Sequence, residues 1–106
     1  MPSLTRREIA EQVVTAAADA GARFAFGVPG GGSNLDVAGA CEQAGITFVL
    51  THLESAAAIM AGVVGELTGA PGIAVGTRGP GAASAVNGVA NALLERAPLL
   101  MITDCV

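Results

Sequence analysis

With 106 residues, the chain is long enough for one small domain with a modest core. Hydrophobic residues make up 52% and charged residues 13%, which excludes a disordered tail and leaves few charges for solvation. The net charge is −4, and the five basic residues (Arg6, Arg7, Arg23, Arg78 and Arg96) are scattered, so no basic patch exists to hold nucleic acid.

The first helix starts at a capping box, Thr5 with Glu8, and Leu4 and Ile9 suit a hydrophobic staple. Ile9, Val13, Ala16 and Ala20 predict its buried face, and Gly21 its stop. Residues 23–28 read as a short buried strand that ends at Pro29 and three glycines. A second helix is predicted over 35–44, capped by Ser33 or Asn34 and stopped by Gly45. The β-branched and aromatic run 46–50 predicts a strand. A third helix follows over about 53–67, ended by Thr68-Gly69-Ala70-Pro71, and 73–75 is the third strand. Gly79-Pro80-Gly81 opens a fourth helix, with proline in its first turn, that runs to about Glu95. Residues 99–103 are the last strand.

Strands and helices alternating at this spacing predict an α/β fold, an open parallel sheet of about four strands flanked by helices. The strands are near-continuous apolar runs, as expected when both sheet faces are covered. A parallel sheet that stops on a hydrophobic strand is an unfinished architecture, so residues 1–106 read as one partial domain. The sparse charge predicts that a partner chain or further domain covers part of the surface. Apolar stretches are far shorter than a membrane span, and no apolar run follows Arg6 and Arg7, so a cytoplasmic protein is expected. Cys41 and Cys105 are far apart, there is no CxxC, and His52 is the only histidine, so no metal site is expected and both thiols are read as reduced and structural.

In open α/β sheets, ligands bind beyond the carboxyl ends of the strands. Three loops belong there: Gly27-Val28-Pro29-Gly30-Gly31-Gly32, Thr51-His52-Leu53-Glu54, and Thr77-Arg78-Gly79-Pro80-Gly81. Each has a plain structural reading and a functional one. Thr51 to Glu54 is a second capping box, or Glu54 is an acid of a site. His52 is an end-cap or a proton relay. Arg78 sits in solvent or meets a substrate carboxylate. The glycines at 30–32 form a flexible turn, or they let backbone approach a ligand. On the third helix, Ala57, Ala58, Ala61, Gly62 and Gly65 recur at helical steps, which marks a tight contact inside the domain or an interface with another subunit.

The three loops together resemble thiamine-diphosphate enzymes of the acetolactate-synthase type. Gly-Val-Pro-Gly-Gly after a strand resembles their first loop. His52-Leu53-Glu54-Ser55-Ala56-Ala57-Ala58 looks like their glutamate-bearing helix start. Thr77-Arg78-Gly79-Pro80-Gly81-Ala82, running on to Pro98-Leu99, is similar to their Gly-Pro-Gly-Ala helix. The resemblance implies an N-terminal pyrimidine-binding (PYR) domain. Val28, Pro29, Gly30, Gly79, Pro80 and Gly81 would contact thiamine diphosphate, and Glu54 would be the catalytic acid. In the family that glutamate bonds N1′ of the aminopyrimidine, favouring the imino form that withdraws the thiazolium C2 proton. The implied activity is that of a 2-keto-acid decarboxylase or carboligase. Arg78 departs from the small residue usual before Gly-Pro-Gly. The family anchors the diphosphate and its Mg2+ through a Gly-Asp-Gly motif in another domain, and none occurs here. This chain alone is therefore expected to be inactive, working as a homo-oligomer or with a chain that carries that domain. Competing readings are the small subunit of a split decarboxylase of the sulfopyruvate type, a Rossmann-like dinucleotide-binding half with Asp104 as the ribose-binding acid, and a module that keeps only the fold.

Overall fold

The computed structural model describes residues 3–104. Its elements are α1 (Arg6–Asp19), β1 (Phe24–Gly27), α2 (Asn34–Gln43), β2 (Thr47–Leu50), α3 (Glu54–Thr68), β3 (Gly72–Gly76), α4 (Pro80–Ser84), α5 (Val86–Glu95) and β4 (Leu99–Thr103). The four strands form one sheet in the order β2-β1-β3-β4, and every pairing is parallel. The chain winds outward from β1 to β2, crosses back over β1 to β3, and continues to β4. The order therefore reverses between β1 and β3, the position where such sheets bind ligands.

Period-two side-chain alternation divides the core between the two faces of the sheet. Ala25, Ile73 and Val75 face α1 and α2, where they pack with Val14, Val37, Cys41 and Ile46. Phe26 and Ala74 face α3 and pack with Ala57, Ala58 and Ala61. β3, central and buried throughout, needs no polar alternation. β2 and β4 lie at the edges and are only partly buried. Cys41 is fully buried, and desolvation pushes its thiol up to about 11, as suits an inert structural cysteine. Cys105 lies outside the described residues.

The capping box on α1 forms as expected: the Thr5 side chain accepts from the Glu8 amide, and Glu8 accepts from the Thr5 amide, each at 3.1 Å. The buried face is not the expected one. Ala10, Val14 and Ala17 are buried, while Ile9 is 50% and Val13 38% exposed. Two apolar stripes run side by side on this helix, one residue apart, and the slimmer one seats against α2 and the sheet. Leu4, the expected staple partner of Ile9, is also half exposed.

Two further expectations change. The fourth helix divides into α4 and α5 at Ala85, whose ψ opens to −11°. Beyond that bend α5 lies directly on α3, so close that a Cβ on Gly88 would stand 2.8 Å from the Ser55 carbonyl oxygen. The small residues of α3 are also consumed inside the domain. Ala57, Ala58, Ala61, Gly62 and Gly65 are all buried. A Cβ on Gly62 would touch Ala92, one on Gly65 would press on Pro98, and one on Gly72 would overlap the Ala61 backbone. The stripe is therefore the internal contact of α3 with α5, β3 and the start of β4, not a surface for another subunit. The opposite side of α3 is apolar and exposed at Ile59, Met60, Val63 and Leu67.

Candidate functional site

Strand register brings the three loops to one edge. Gly27 ends β1 opposite Leu50 of β2 and Val75 of β3. Residues 28–33 leave that point and lean on the third loop: a Cβ on Gly30 would overlap the Thr77 methyl group. Val28 and Gly30 are half-buried and Pro29 is exposed. Asn34 is the buried polar side chain of this region, 4% exposed, and its Nδ2 donates to the Val28 carbonyl at 3.5 Å. Ser33 takes the N-cap position of α2 but makes no side-chain cap. Its hydroxyl and its amide both donate to the carboxylate of Asp104, the amide at 3.0 Å.

The second loop hangs from the first through the Thr51 amide, which donates to the Gly27 carbonyl at 2.9 Å. The Thr51 hydroxyl then donates to the Leu53 carbonyl at 3.1 Å. Leu53, extended at φ −139° and ψ 146°, is the N-cap, and no side chain caps the helix. Glu54 is consequently the first helical residue rather than the third, and the capping box read from Thr51 and Glu54 does not form. Among the described residues the Glu54 carboxylate, half-buried, makes no hydrogen bond or ion pair. His52 is exposed and likewise forms no side-chain cap.

In the third loop Gly79 adopts φ 72° and ψ −115°, a conformation reserved for glycine, and Pro80 follows in the first turn of α4. Gly81 is buried, and a Cβ there would crowd the Thr77 hydroxyl at 2.5 Å. Arg78 is exposed and, among the described residues, makes no hydrogen bond or ion pair. The structure thus joins Val28, Pro29 and Gly30 to the loop of Gly79, Pro80 and Gly81 at the switch point. It places Glu54 at the head of α3, on the face shared with α4 and α5.

Asp104 changes role. The ribose-binding acid of a dinucleotide site must be free to meet a ligand, whereas both oxygens of Asp104 accept from Ser33. Those two bonds, side chain first, hold the Asp104 carboxyl below its ordinary value of 3.8 against a smaller opposing effect of burial, and the charges of Arg6 and Arg78 add still less in the same direction as the bonds. Nothing local signals this pairing, because the partners are far apart in sequence. A small cavity of about 190 Å³ lies beside it, lined by Gly31, Gly32, Thr77, Arg78 and Asp104. A wider groove of about 650 Å³ lies between α2 and β2 and touches the candidate loops at Pro29. Among the described residues no group of three or more His, Cys, Asp or Glu stands close enough to hold a metal ion, and no helix is long and apolar enough to cross a membrane.

The family model for the thiamine pyrophosphate enzyme N-terminal TPP binding domain matches residues 7–106. The acetolactate synthase isozyme 3 large subunit of Escherichia coli (strain K12) is 39% identical over 95 residues, 89% of this chain and 16% of that protein. The acetolactate synthase of Bacillus subtilis (strain 168) is 36% identical over 101 residues, 94% of this chain and 17% of that protein. The 2-hydroxyacyl-CoA lyase 2 of Danio rerio is 39% identical over 82 residues, 77% of this chain and 13% of that protein. The chain thus spans about one sixth of the length of the synthases it matches. A doubly wound parallel sheet, glycine loops joined at its switch point and a family match across nearly the whole chain lead to one assignment: the chain belongs to the N-terminal TPP-binding domains of thiamine pyrophosphate enzymes.

Proposed function

We propose that this chain supplies the aminopyrimidine half of a thiamine-diphosphate site in a 2-keto-acid decarboxylase or carboligase of the acetolactate-synthase type. The observation that carries the reading is Glu54: a half-buried carboxylate at the head of α3, with no partner among the described residues, at the same sheet edge as two glycine loops. An acid tied up as a cap would not suit the role; one left uncommitted does. Gly30 and Gly81 fit as well, since a side chain at either would collide with Thr77 and displace the loops.

When bound, thiamine diphosphate would supply a nucleophilic carbon for chemistry on a 2-keto acid. The chain's own part is to hold and orient. Glu54 would hold the aminopyrimidine and share a proton with its N1′ nitrogen. Val28, Pro29 and Gly30, with Gly79, Pro80 and Gly81, would hold the aminopyrimidine through their backbone. The diphosphate and Mg2+ fall to a different domain, the one that carries the family's Gly-Asp-Gly motif, which does not occur in these 106 residues. The working unit is then an oligomer, or a complex with a chain bearing that domain, and the cytoplasm is its compartment, in keeping with the buried, unpaired thiol of Cys41.

Glu54→Gln in the complete enzyme tests the reading. Activity is expected to fall by about 100-fold or more, the scale of a lost acid–base group. Thermal stability should not move, since the carboxylate makes no cap in the structure. Full activity in the Gln variant would sink the assignment.

A further inference from the structure

We infer that Asp104 is a positioning residue for the cofactor loop, holding residues 28–33 in their binding shape through Ser33. The inference rests on the proposed function, in which that loop meets the aminopyrimidine. Its own basis is geometric. Asp104 follows β4, which lies two strands from β1 in the sheet, so its carboxylate reaches across the end of β3 to the far end of the first loop. There it takes two hydrogen bonds from one residue, Ser33, and engages both of its oxygens.

Two local features fit this contact, and a third secures the other end of the loop. Ser33 stands at the N-cap of α2, where serine normally turns its hydroxyl to the helix amides, yet the hydroxyl goes to Asp104 and α2 is left without a side-chain cap. Gly32 adopts φ 69°, and any Cβ there would overlap the Asp104 carboxylate, so only glycine admits the acid so close to the backbone. Asn34 holds the opposite end of the same loop through the Val28 carbonyl. The three consecutive glycines at 30–32 are thus pinned at both ends. Without the clasp they would be the most freely moving stretch of the site, and ordering them would oppose cofactor binding.

The role predicts a split between affinity and turnover. In the assembled protein, titration with thiamine diphosphate in the presence of Mg2+ should show Asp104→Ala binding about tenfold more weakly, while turnover at saturating cofactor stays within about twofold. Ser33→Ala should weaken binding in the same direction but less, since the amide bond survives, and the double variant should be little worse than Asp104→Ala, which already removes both bonds. Asp104→Asn keeps an acceptor oxygen and should fall between wild type and Asp104→Ala. Amide hydrogen exchange supplies a readout independent of the cofactor: the Ser33 amide should lose protection in Asp104→Ala without cofactor present. Should Asp104→Ala fail to fold, Ser33→Ala, which deletes only a hydroxyl, carries the test. Wild-type affinity in both variants overturns the inference, as does weakened binding with no change in Ser33 exchange. A wild-type protein that binds no thiamine diphosphate would instead bring down the proposed function, and this inference with it, while the exchange result still reports whether the clasp exists.

Discussion

The first loop and the head of α3 lie at the same edge of the sheet and are built in opposite ways. Residues 28–33 are tied down at both ends, by Asn34 and by the Ser33–Asp104 pair, and rest on Thr77 between. Glu54 is fixed through its backbone, by the turn at Thr51, and among the described residues its carboxylate makes no hydrogen bond or ion pair. A surface that must match a rigid ring gains from being ordered in advance. A group that must share a proton gains from having no prior commitment. Under the proposed function the contrast would separate binding from chemistry within one site, and substitutions on each side should break different quantities.

The largest effect belongs to Glu54. The Gln variant should lose turnover by about 100-fold or more and keep most of its cofactor affinity, the reverse of the split expected at Asp104. Loss of affinity with turnover intact would mean that Glu54 belongs to the holding side of the comparison. Cofactor titration and steady-state rates on one preparation distinguish the outcomes.

Next in size are changes to the packing that supports the head of α3. Ala61→Trp drives an indole into the buried cluster of Phe26, Ala57, Ala58 and Ala74, an overpacking that should destabilise by about 3 kcal/mol or more. Val63→Glu or Met60→Glu, on the exposed side of the same helix, should leave the melting temperature of the isolated chain nearly unchanged and weaken association of the complete enzyme. Light scattering together with thermal melts checks both. Unchanged assembly in the two Glu variants would show that the partner does not cover α3. Within the first loop, Gly32→Ala combines an unfavourable backbone with a collision at Asp104. It should be less stable by about 1–3 kcal/mol and should free the Ser33 amide as Asp104→Ala does.

Much of this architecture is legible in the residues. Alternating apolar runs give the four strands, Thr5 and Glu8 mark the first helix, and Gly69, with φ 73°, stops α3 where a glycine before a proline predicts. What escapes is decided by contacts distant in sequence. Ile9–Val13 and Ala10–Val14 are equally periodic, and only the space above the sheet chooses between them. The Ala and Gly steps of α3 suit an interior or an interface alike until Gly72 and Gly88 are seen pressed against them. Thr51 and Glu54 have capping-box spacing, but the Thr51 hydroxyl turns to the Leu53 carbonyl and the helix starts later than a box requires. Ser33 looks like a cap because its real partner, Asp104, is a whole sheet away in the chain.

The smallest effect should come from Arg78, the charged residue that precedes Gly79-Pro80-Gly81. Its side chain is exposed and, among the described residues, makes no hydrogen bond or ion pair. The nearby acid, Asp104, already accepts from Ser33 with both oxygens. Arg78→Ser should therefore change stability by less than about 0.5 kcal/mol, and cofactor affinity should not move measurably. One quantity should respond. The Arg78 charge, after the two Ser33 bonds and the Arg6 charge, helps hold the Asp104 carboxyl below 3.8, so its removal should let that group titrate slightly higher. The sign follows from linkage. A group whose folded pKa is depressed lends stability that is fully present above its unfolded value and fades as pH falls through the folded one. In Arg78→Ser the protection of the Ser33 amide should accordingly be lost at a somewhat higher pH on acidification, while the two proteins match at neutral pH. Exchange of that amide measured down an acid series checks this. A large change at neutral pH, or a raised KM for the 2-keto acid, would move Arg78 from solvent into the substrate's path.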